Sequence, residues 1–187
     1  TARRLGAIVS GFDVRAAAAE QVQSLGARFI APEAVSGDAE TSGGYAKELA
    51  DEQQRRVLEV IAGAIGAADL VVATAAIPDR PAPRLITREM VESMKPGAVI
   101  VDVSAATGGN CELTRPGETV VHADVSILGP LNLPATMPQH ASQMFARNVQ
   151  ALLEHLVPKD ELVFDLTDDI TGAMCIAHDG AMRQRGS

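Results

Sequence analysis

The chain has 187 residues, of which 47% are hydrophobic, and a formal net charge of -8. Its lysines and arginines are dispersed, which argues against a nucleic-acid-binding surface, and no apolar run reaches the roughly 18 residues that a membrane-spanning helix needs. The two cysteines and four histidines lack the spacing of zinc ligands, so we expect a reduced intracellular protein without a metal site.

The first residues are typical of the end of a helix. Arg3 and Arg4 suit the negative end of a helix dipole, and Gly6 is a common helix stop. The chain also contains no G-x-G-x-x-G loop, so we expect it to be the later part of a longer dinucleotide-binding protein. In the usual strand order the absent first strand would be the centre of the sheet.

Residues 6–13 form an apolar run that ends in a carboxylate, and they predict a buried strand that ends at Asp13. A helix-forming run follows at once. An acidic residue in this place of a doubly wound fold accepts hydrogen bonds from the adenosine ribose hydroxyls, and its charge disfavours the 2′-phosphate of NADP. The alternative is that Asp13 only caps a helix that begins near Val14.

Strands and helices then alternate, which predicts an α/β fold with a Rossmann-like, doubly wound parallel sheet. Further strands are predicted at 28–30, 70–76 and 98–103, and helices at 46–64, 88–94 (capped by Thr87) and 137–156. Two more apolar segments lie at 119–122 and 125–128. The run at 70–76 is continuously apolar, which predicts a strand buried on both faces. Its small final residues would let a ligand approach the backbone, or they only pack a tight strand end. Short strands are also predicted at 161–165 and 173–177.

Residues 33–44 are small, polar and acidic, without a periodic apolar face, and they predict a long loop. The sole tyrosine of the sequence, Tyr45, follows Gly43 and Gly44. A tyrosine on a glycine hinge could close over a ligand as a lid, although a lone tyrosine is more commonly a packing residue.

Five segments in order carry a family resemblance. They are Gly-Phe-Asp-Val-Arg at 11–15, Glu-Thr-Ser-Gly-Gly-Tyr-Ala-Lys-Glu at 40–48, Ile-Pro-Asp-Arg-Pro-Ala-Pro-Arg-Leu-Ile-Thr at 77–87, Met-Lys-Pro-Gly-Ala-Val-Ile-Val-Asp at 94–102 and Gly-Gly-Asn-Cys-Glu at 108–112. Together they resemble the alanine dehydrogenase/transhydrogenase family, and within it the NAD(H)-binding domain I of proton-translocating NAD(P) transhydrogenases. In alanine dehydrogenase an Asp just before the Gly-Gly takes part in the chemistry. Residues 104–107 contain no carboxylate here, which favours the transhydrogenase.

The resemblance implies that NAD is the cofactor and that six residues contact it. They are Asp13, Val14 and Arg15 at the adenosine ribose, Gly44 and Tyr45 on a mobile loop that closes over the nucleotide, and Ala76 at the end of the fourth strand, where the family usually has a bulkier aliphatic residue. No catalytic side chain is implied, because hydride transfer between two nicotinamides needs proximity, orientation and exclusion of water.

The resemblance also implies the reaction and the partners. Hydride passes from NADH to NADP+ on a separate NADP(H)-binding domain, and the reaction is coupled to proton translocation through a membrane domain. The implied protein is a homodimer, cytoplasmic and peripheral on the inner face of the plasma membrane. Residues 1–156 would form the Rossmann-like domain, and residues 157–187 would return to a first subdomain absent from this sequence. The alternatives are an NAD-dependent amino-acid dehydrogenase and a non-catalytic fragment with a scaffold or adenosine-binding role.

Overall fold

The computed structural model describes residues 1–15, 17–30, 51–77 and 80–183, and every structural statement here concerns these ranges. They belong to two compact units, Thr1–Leu131 and Asn132–Ser187. The predicted α/β fold is confirmed, because helices alternate with strands and the main sheet is largely parallel. None of the described helices combines the length and the hydropathy of a membrane span.

The first unit opens with a 3₁₀ helix, Ala2–Leu5, that Gly6 ends with a φ of 91°. A small parallel strand pair follows. It consists of β1 (Ser10–Gly11) and β2 (Arg28–Phe29), joined by α1 (Ala17–Ser24).

The strand predicted over residues 6–13 is therefore two residues long, and the side chain of Ile8 is fully exposed. In the described ranges β1 pairs with β2 alone, so strand geometry extends only as far as that partner. The helix predicted to begin near Val14 begins at Ala17, after a turn that contains Asp13.

A four-stranded sheet forms the centre of the first unit. Its strands are β3 (Leu70–Ala73), β4 (Val99–Asp102), β5 (Thr119–His122) and β6 (Val125–Leu128), and the helices that pack on it are α2 (Asp51–Ile65) and α3 (Arg88–Glu92). The strand order is β3-β4-β6-β5, with the first three parallel and β5 antiparallel to β6. The carboxyl ends of β3 and β4 therefore lie at the same edge, where open α/β sheets bind their ligands.

One face of this sheet is buried, and the other is half-buried on β4 and β6 and exposed at Leu70 and Val72 of β3. Ile100 and Ile127, in register across β4 and β6, are fully buried and pack with Val91 of α3. Side chains alternate along a strand, so Leu70 and Val72 point to the opposite face, where they are 58% and 57% exposed. The prediction that this strand is buried on both faces is wrong, because α2 and α3 cover only one of them.

The second unit is mainly helical. It contains α4 (Leu133–Thr136), α5 (Pro138–Leu156), α6 (Asp169–Met174) and a hairpin of β7 (Ala177–His178) and β8 (Ala181–Met182). The long helix predicted over 137–156 is confirmed. Its apolar side is exposed within the described residues, with Met144 and Phe145 at 69% and 70%.

The strands predicted at 161–165 and 173–177 are wrong. The first segment has no regular secondary structure, and most of the second belongs to α6 or the turn after it. The side chain of Asp168 accepts hydrogen bonds from the backbone N–H groups of Ile170 and Thr171, and these bonds begin a helix where apolar residues alone suggested a strand. The predicted domain boundary after residue 156 falls inside the second unit and stays a prediction.

Candidate functional site

Asp13 lies just beyond the end of β1, in the turn that leads to α1. Its Oδ1 accepts hydrogen bonds from the backbone N–H of Arg15 at 2.9 Å and from the Nε of Arg15 at 2.9 Å. Its Oδ2 accepts a hydrogen bond from the Nη2 of Arg15 at 2.8 Å. The backbone bond closes a tight turn over Val14, and the two side-chain bonds form a bidentate ion pair.

This ion pair is partly shielded from water, with the Asp13 side chain 27% and the Arg15 side chain 34% exposed. Burial by itself raises the pKa of the Asp13 carboxyl. The hydrogen bonds from the Arg15 side chain and backbone N–H, together with the guanidinium charge, outweigh that effect and hold the pKa below its ordinary value. Asp13 is therefore a carboxylate at neutral pH.

A glycine places Asp13 at this junction. A Cβ on Gly11 would lie 3.1 Å from Cγ1 of Val22 on α1, so the glycine lets the helix pack closely against β1. Phe29 of β2 and Ala18 of α1 are buried beside them. The end of β1 is thus held by packing as well as by the turn.

The Asp13 carboxylate suits a sugar hydroxyl. A carboxylate oxygen can accept about two hydrogen bonds, and within the described residues Oδ2 accepts the bond from Arg15 Nη2. The side chain is accessible, charged and placed beyond a parallel strand, where adenosine ribose hydroxyls are accepted in dinucleotide-binding folds. The residues present at this end therefore fit the ribose of a nicotinamide dinucleotide.

The predicted site residues are only partly brought together. Asp13, Val14 and Arg15 share one turn and are half-buried, whereas Ala76 lies beyond the end of β3 on the other sheet and is exposed. Gly44 and Tyr45 lie outside the described residues.

The backbone beside Ala76 is held by two side chains from the loop after β4. The carbonyl oxygen of Ala75 accepts hydrogen bonds from the Oγ of Ser104 and from the Nδ2 of Asn110, both at 2.9 Å. The same Asn110 nitrogen donates to the carbonyl oxygen of Pro83 at 2.8 Å. Asn110 is fully buried, and it ties the segments after β3 and β4 together at the edge where open α/β sheets in general bind ligands.

Sequence reasoning missed the buried carboxylate that organises this loop. Asp102, the last residue of β4, is fully buried and accepts hydrogen bonds from the N–H groups of Ser104 at 3.1 Å and Cys111 at 2.9 Å. The hydroxyl of Thr114 donates a third bond at 2.6 Å. A carboxylate that ends an apolar strand before a glycine pair was the available signal. The first part of that signal, a carboxylate at the end of an apolar strand, is also what identified Asp13.

The buried cluster around Asp102 has a structural role. The Asp102 carboxylate is enclosed and already accepts three hydrogen bonds, so it is poorly placed to contact a ligand. Burial raises the pKa of the neighbouring Cys111 thiol, which keeps the sulfur protonated and a poor nucleophile. Among the described residues, no group of three or more His, Cys, Asp or Glu side chains could hold a metal ion.

Comparison with known proteins identifies relatives that match between half and nearly all of the chain. Residues 1–185 match the family "Alanine dehydrogenase/PNT, C-terminal domain". An NAD(P) transhydrogenase alpha subunit of Rhodospirillum rubrum is 46% identical over 186 residues, which cover 97% of this chain and 48% of the relative. "Alanine dehydrogenase 1" of Staphylococcus aureus is 35% identical over 106 residues, which cover 51% of this chain and 27% of the relative.

A solved structure shows the same fold. The transhydrogenase from Sinorhizobium meliloti is similar with a TM-score of 0.72 and 40% sequence identity, over 98% of this chain and 47% of that one. The chain therefore spans about half the length of these two transhydrogenases.

Proposed function

The chain belongs to the C-terminal-domain family of alanine dehydrogenase and PNT, and from this premise we propose that it is the NAD(H)-binding part of a proton-translocating NAD(P) transhydrogenase. The observation that carries the proposal is the Asp13 carboxylate, charged and accessible beyond a parallel strand. Such a group accepts the ribose hydroxyls of NAD(H). The similarity to transhydrogenase alpha subunits along nearly the whole chain supports the same conclusion.

In this proposal the residues of the chain bind and orient NAD(H). Asp13, Val14 and Arg15 hold the adenosine ribose, Ala76 lies against the nucleotide, and Gly44 with Tyr45 closes over it. The bound nucleotide supplies the hydride. Ser104 and Asn110 support the proposal, because they hold the backbone beside Ala76 through the carbonyl of Ala75. Such rigidity favours hydride transfer, which depends on the alignment of two nicotinamides.

The proposed partners follow from the reaction. The hydride acceptor, NADP+, is held on a separate NADP(H)-binding domain, and a membrane domain couples the transfer to proton movement. The working protein is a homodimer that lies on the cytoplasmic face of the plasma membrane through its partner subunits. The proposal assigns no acid or base to the transfer, because hydride exchange between two nicotinamides requires none.

The second candidate is an NAD-dependent amino-acid dehydrogenase similar to alanine dehydrogenase. That reaction needs a carboxylate near the glycine pair at 108–109, and residues 104–107 have none. The carboxylate of Asp102 lies behind this loop, fully buried and bonded to Ser104, Cys111 and Thr114. Its enclosure favours the transhydrogenase over the dehydrogenase.

A binding experiment tests the nucleotide site. NADH is titrated into the full-length product of the gene that encodes this chain, with NADH fluorescence as the signal. Asp13→Asn should weaken binding about 10- to 100-fold, because a hydrogen bond to a charged group contributes about 1.5–3 kcal/mol. The matched control is Asp69→Asn, since Asp69 is 87% exposed at the amino end of β3 and pairs with the exposed Lys95 at the surface.

The control should bind NADH as the wild type does. Equal affinity in Asp13→Asn and the wild type would contradict the proposed site. A second assay separates the two reactions. NADH should be oxidised by NADP+ when the NADP(H)-binding partner domain is added, and not by pyruvate with ammonium. Turnover with pyruvate and ammonium would instead establish the dehydrogenase.

A further inference from the structure

The ion pair at the end of β1 engages both oxygens of the carboxylate and two nitrogens of the guanidinium. Nε and Nη2 of Arg15 donate to Oδ1 and Oδ2 of Asp13 at 2.9 and 2.8 Å. The backbone N–H of Arg15 donates to Oδ1 as well, so the turn itself holds the two side chains together. The guanidinium edge formed by Nε and Nη2 thus faces Asp13.

That edge is also one that recognises phosphate. Carboxylates and phosphates each present two oxygens at the spacing of two guanidinium N–H groups, and both bind arginine in the same bidentate way. In dinucleotide-binding folds an arginine near the ribose accommodates the 2′-phosphate of NADP(H). Arg15 is such an arginine by position, and the carboxylate of Asp13 occupies the edge that a phosphate would use.

We propose that Arg15 is a specificity-determining residue, able to bind the 2′-phosphate of a phosphorylated adenosine ribose, and that its pairing with Asp13 masks this capacity. The inference rests on the proposed nucleotide site and goes beyond it. Asp13 then has two effects on specificity. It accepts the hydroxyls of an unphosphorylated ribose, and it engages the neighbouring cation that would otherwise attract a phosphate.

Charge arithmetic gives the direction of the effect. The pair carries one negative and one positive charge, so a 2′-phosphate meets no net attraction and stands close to a carboxylate. Replacing Asp13 by asparagine keeps its shape and changes the charge of the pair from zero to +1. Asp13→Asn should therefore gain affinity for a 2′-phosphate, and the gain should depend on Arg15.

The test uses two probes that report on the adenosine end alone, adenosine 2′,5′-bisphosphate and 5′-AMP, titrated by calorimetry into the full-length protein. Asp13→Asn should bind the bisphosphate at least about tenfold more tightly than the wild type, as expected for a charge-assisted hydrogen bond. Asp13→Asn/Arg15→Gln should lose that gain. Raising the ionic strength from about 0.05 M to about 0.5 M should shrink it, because the interaction is between partly exposed charges.

Two results would overturn the inference: no gain for the bisphosphate in Asp13→Asn, or a gain that persists in the double variant. If Asp13→Asn does not fold, Asp13→Ser takes its place with the same expectations. Failure of the nucleotide site itself has a different signature, because neither 5′-AMP nor NADH would then respond to any change at Asp13. If Asp13→Asn binds 5′-AMP more weakly but gains no affinity for the bisphosphate, the proposed role of Arg15 is wrong and the nucleotide site itself is supported.

Discussion

Gly109 approaches the buried carboxylate at the end of β4 more closely than any larger residue could. Its φ is +83°, and a Cβ there would lie 2.7 Å from Oδ2 of Asp102 and 2.9 Å from Cβ of Thr114. The neighbouring Gly108 has a φ of +106° and nothing within 4 Å of a Cβ position. Gly109→Ala and Gly108→Ala therefore share the backbone penalty, and only the first adds a collision.

The backbone penalty and the cost of the collision can each be given a magnitude. An alanine in the left-handed region costs about 1–2 kcal/mol at either position. At position 109 the added methyl also displaces the hydroxyl of Thr114 or the carboxylate of Asp102, which are joined by a 2.6 Å hydrogen bond. Disrupting a buried bond to a charged group costs about 1.5–3 kcal/mol more. We expect Gly109→Ala to lose roughly 2.5–5 kcal/mol of unfolding free energy and Gly108→Ala roughly 1–2 kcal/mol.

Urea unfolding with linear extrapolation measures both losses. The φ of Gly108 lies further from the ideal left-handed value than the φ of Gly109. The control variant Gly108→Ala therefore gives an upper limit for the backbone penalty in Gly109→Ala. An excess in Gly109→Ala then reports the crowding against Asp102 and Thr114. Equal losses in the two variants would refute the idea that this close approach holds the loop after β4.

Two further predictions concern other parts of the chain. Ala123 and Asp124 join β5 to β6 with φ values of 49° and 59°, a conformation that asparagine adopts more readily than alanine. Ala123→Asn should therefore raise the free energy of unfolding by about 0.5–1 kcal/mol, measured as a higher urea midpoint. An unchanged midpoint would contradict this prediction. The pKa of Asp168 is lowered to about 2, mainly by the hydrogen bond from the backbone N–H of Thr171. The stability that this carboxylate adds is therefore fully present above its ordinary pKa of 3.8 and is lost as the pH falls toward 2. Thermal unfolding should show that loss between about pH 4 and about pH 2, and Asp168→Asn should flatten it; the same slope in both proteins would count against the assignment.

Where an element depends on contacts close along the chain, the sequence predicted it well. The hydroxyl of Thr87 was expected to cap a helix, and it accepts a hydrogen bond from the N–H of Met90 at 3.3 Å. The apolar segments at 119–122 and 125–128 coincide with β5 and β6, which pair as an antiparallel hairpin. Periodicity, capping residues and turn residues are local properties, so they can be recognised without the fold.

The parts that escaped prediction depend on residues far apart. The side chain of Asn110 donates a hydrogen bond to the carbonyl of Ala75, 35 positions earlier in the chain. The sequence near either residue does not predict that bond. The burial of Asp102 likewise depends on the hydroxyl of Thr114 across the loop. An apolar strand can be recognised from adjacent residues. Whether other elements cover one face of that strand or both depends on the fold, which is why the exposure of Leu70 and Val72 was not predicted.

By itself the sequence determined the α/β alternation, the family and the position of Asp13 at the end of a strand. The tertiary structure decided how that carboxylate is used, because the turn brings the guanidinium of Arg15 back onto both of its oxygens. It also decided that Asp102, a second carboxylate in an equivalent sequence context, is enclosed and structural. Two acids with the same local signal differ because burial and hydrogen-bond partners depend on how the elements pack, and packing is not a property of the residues adjacent in the chain.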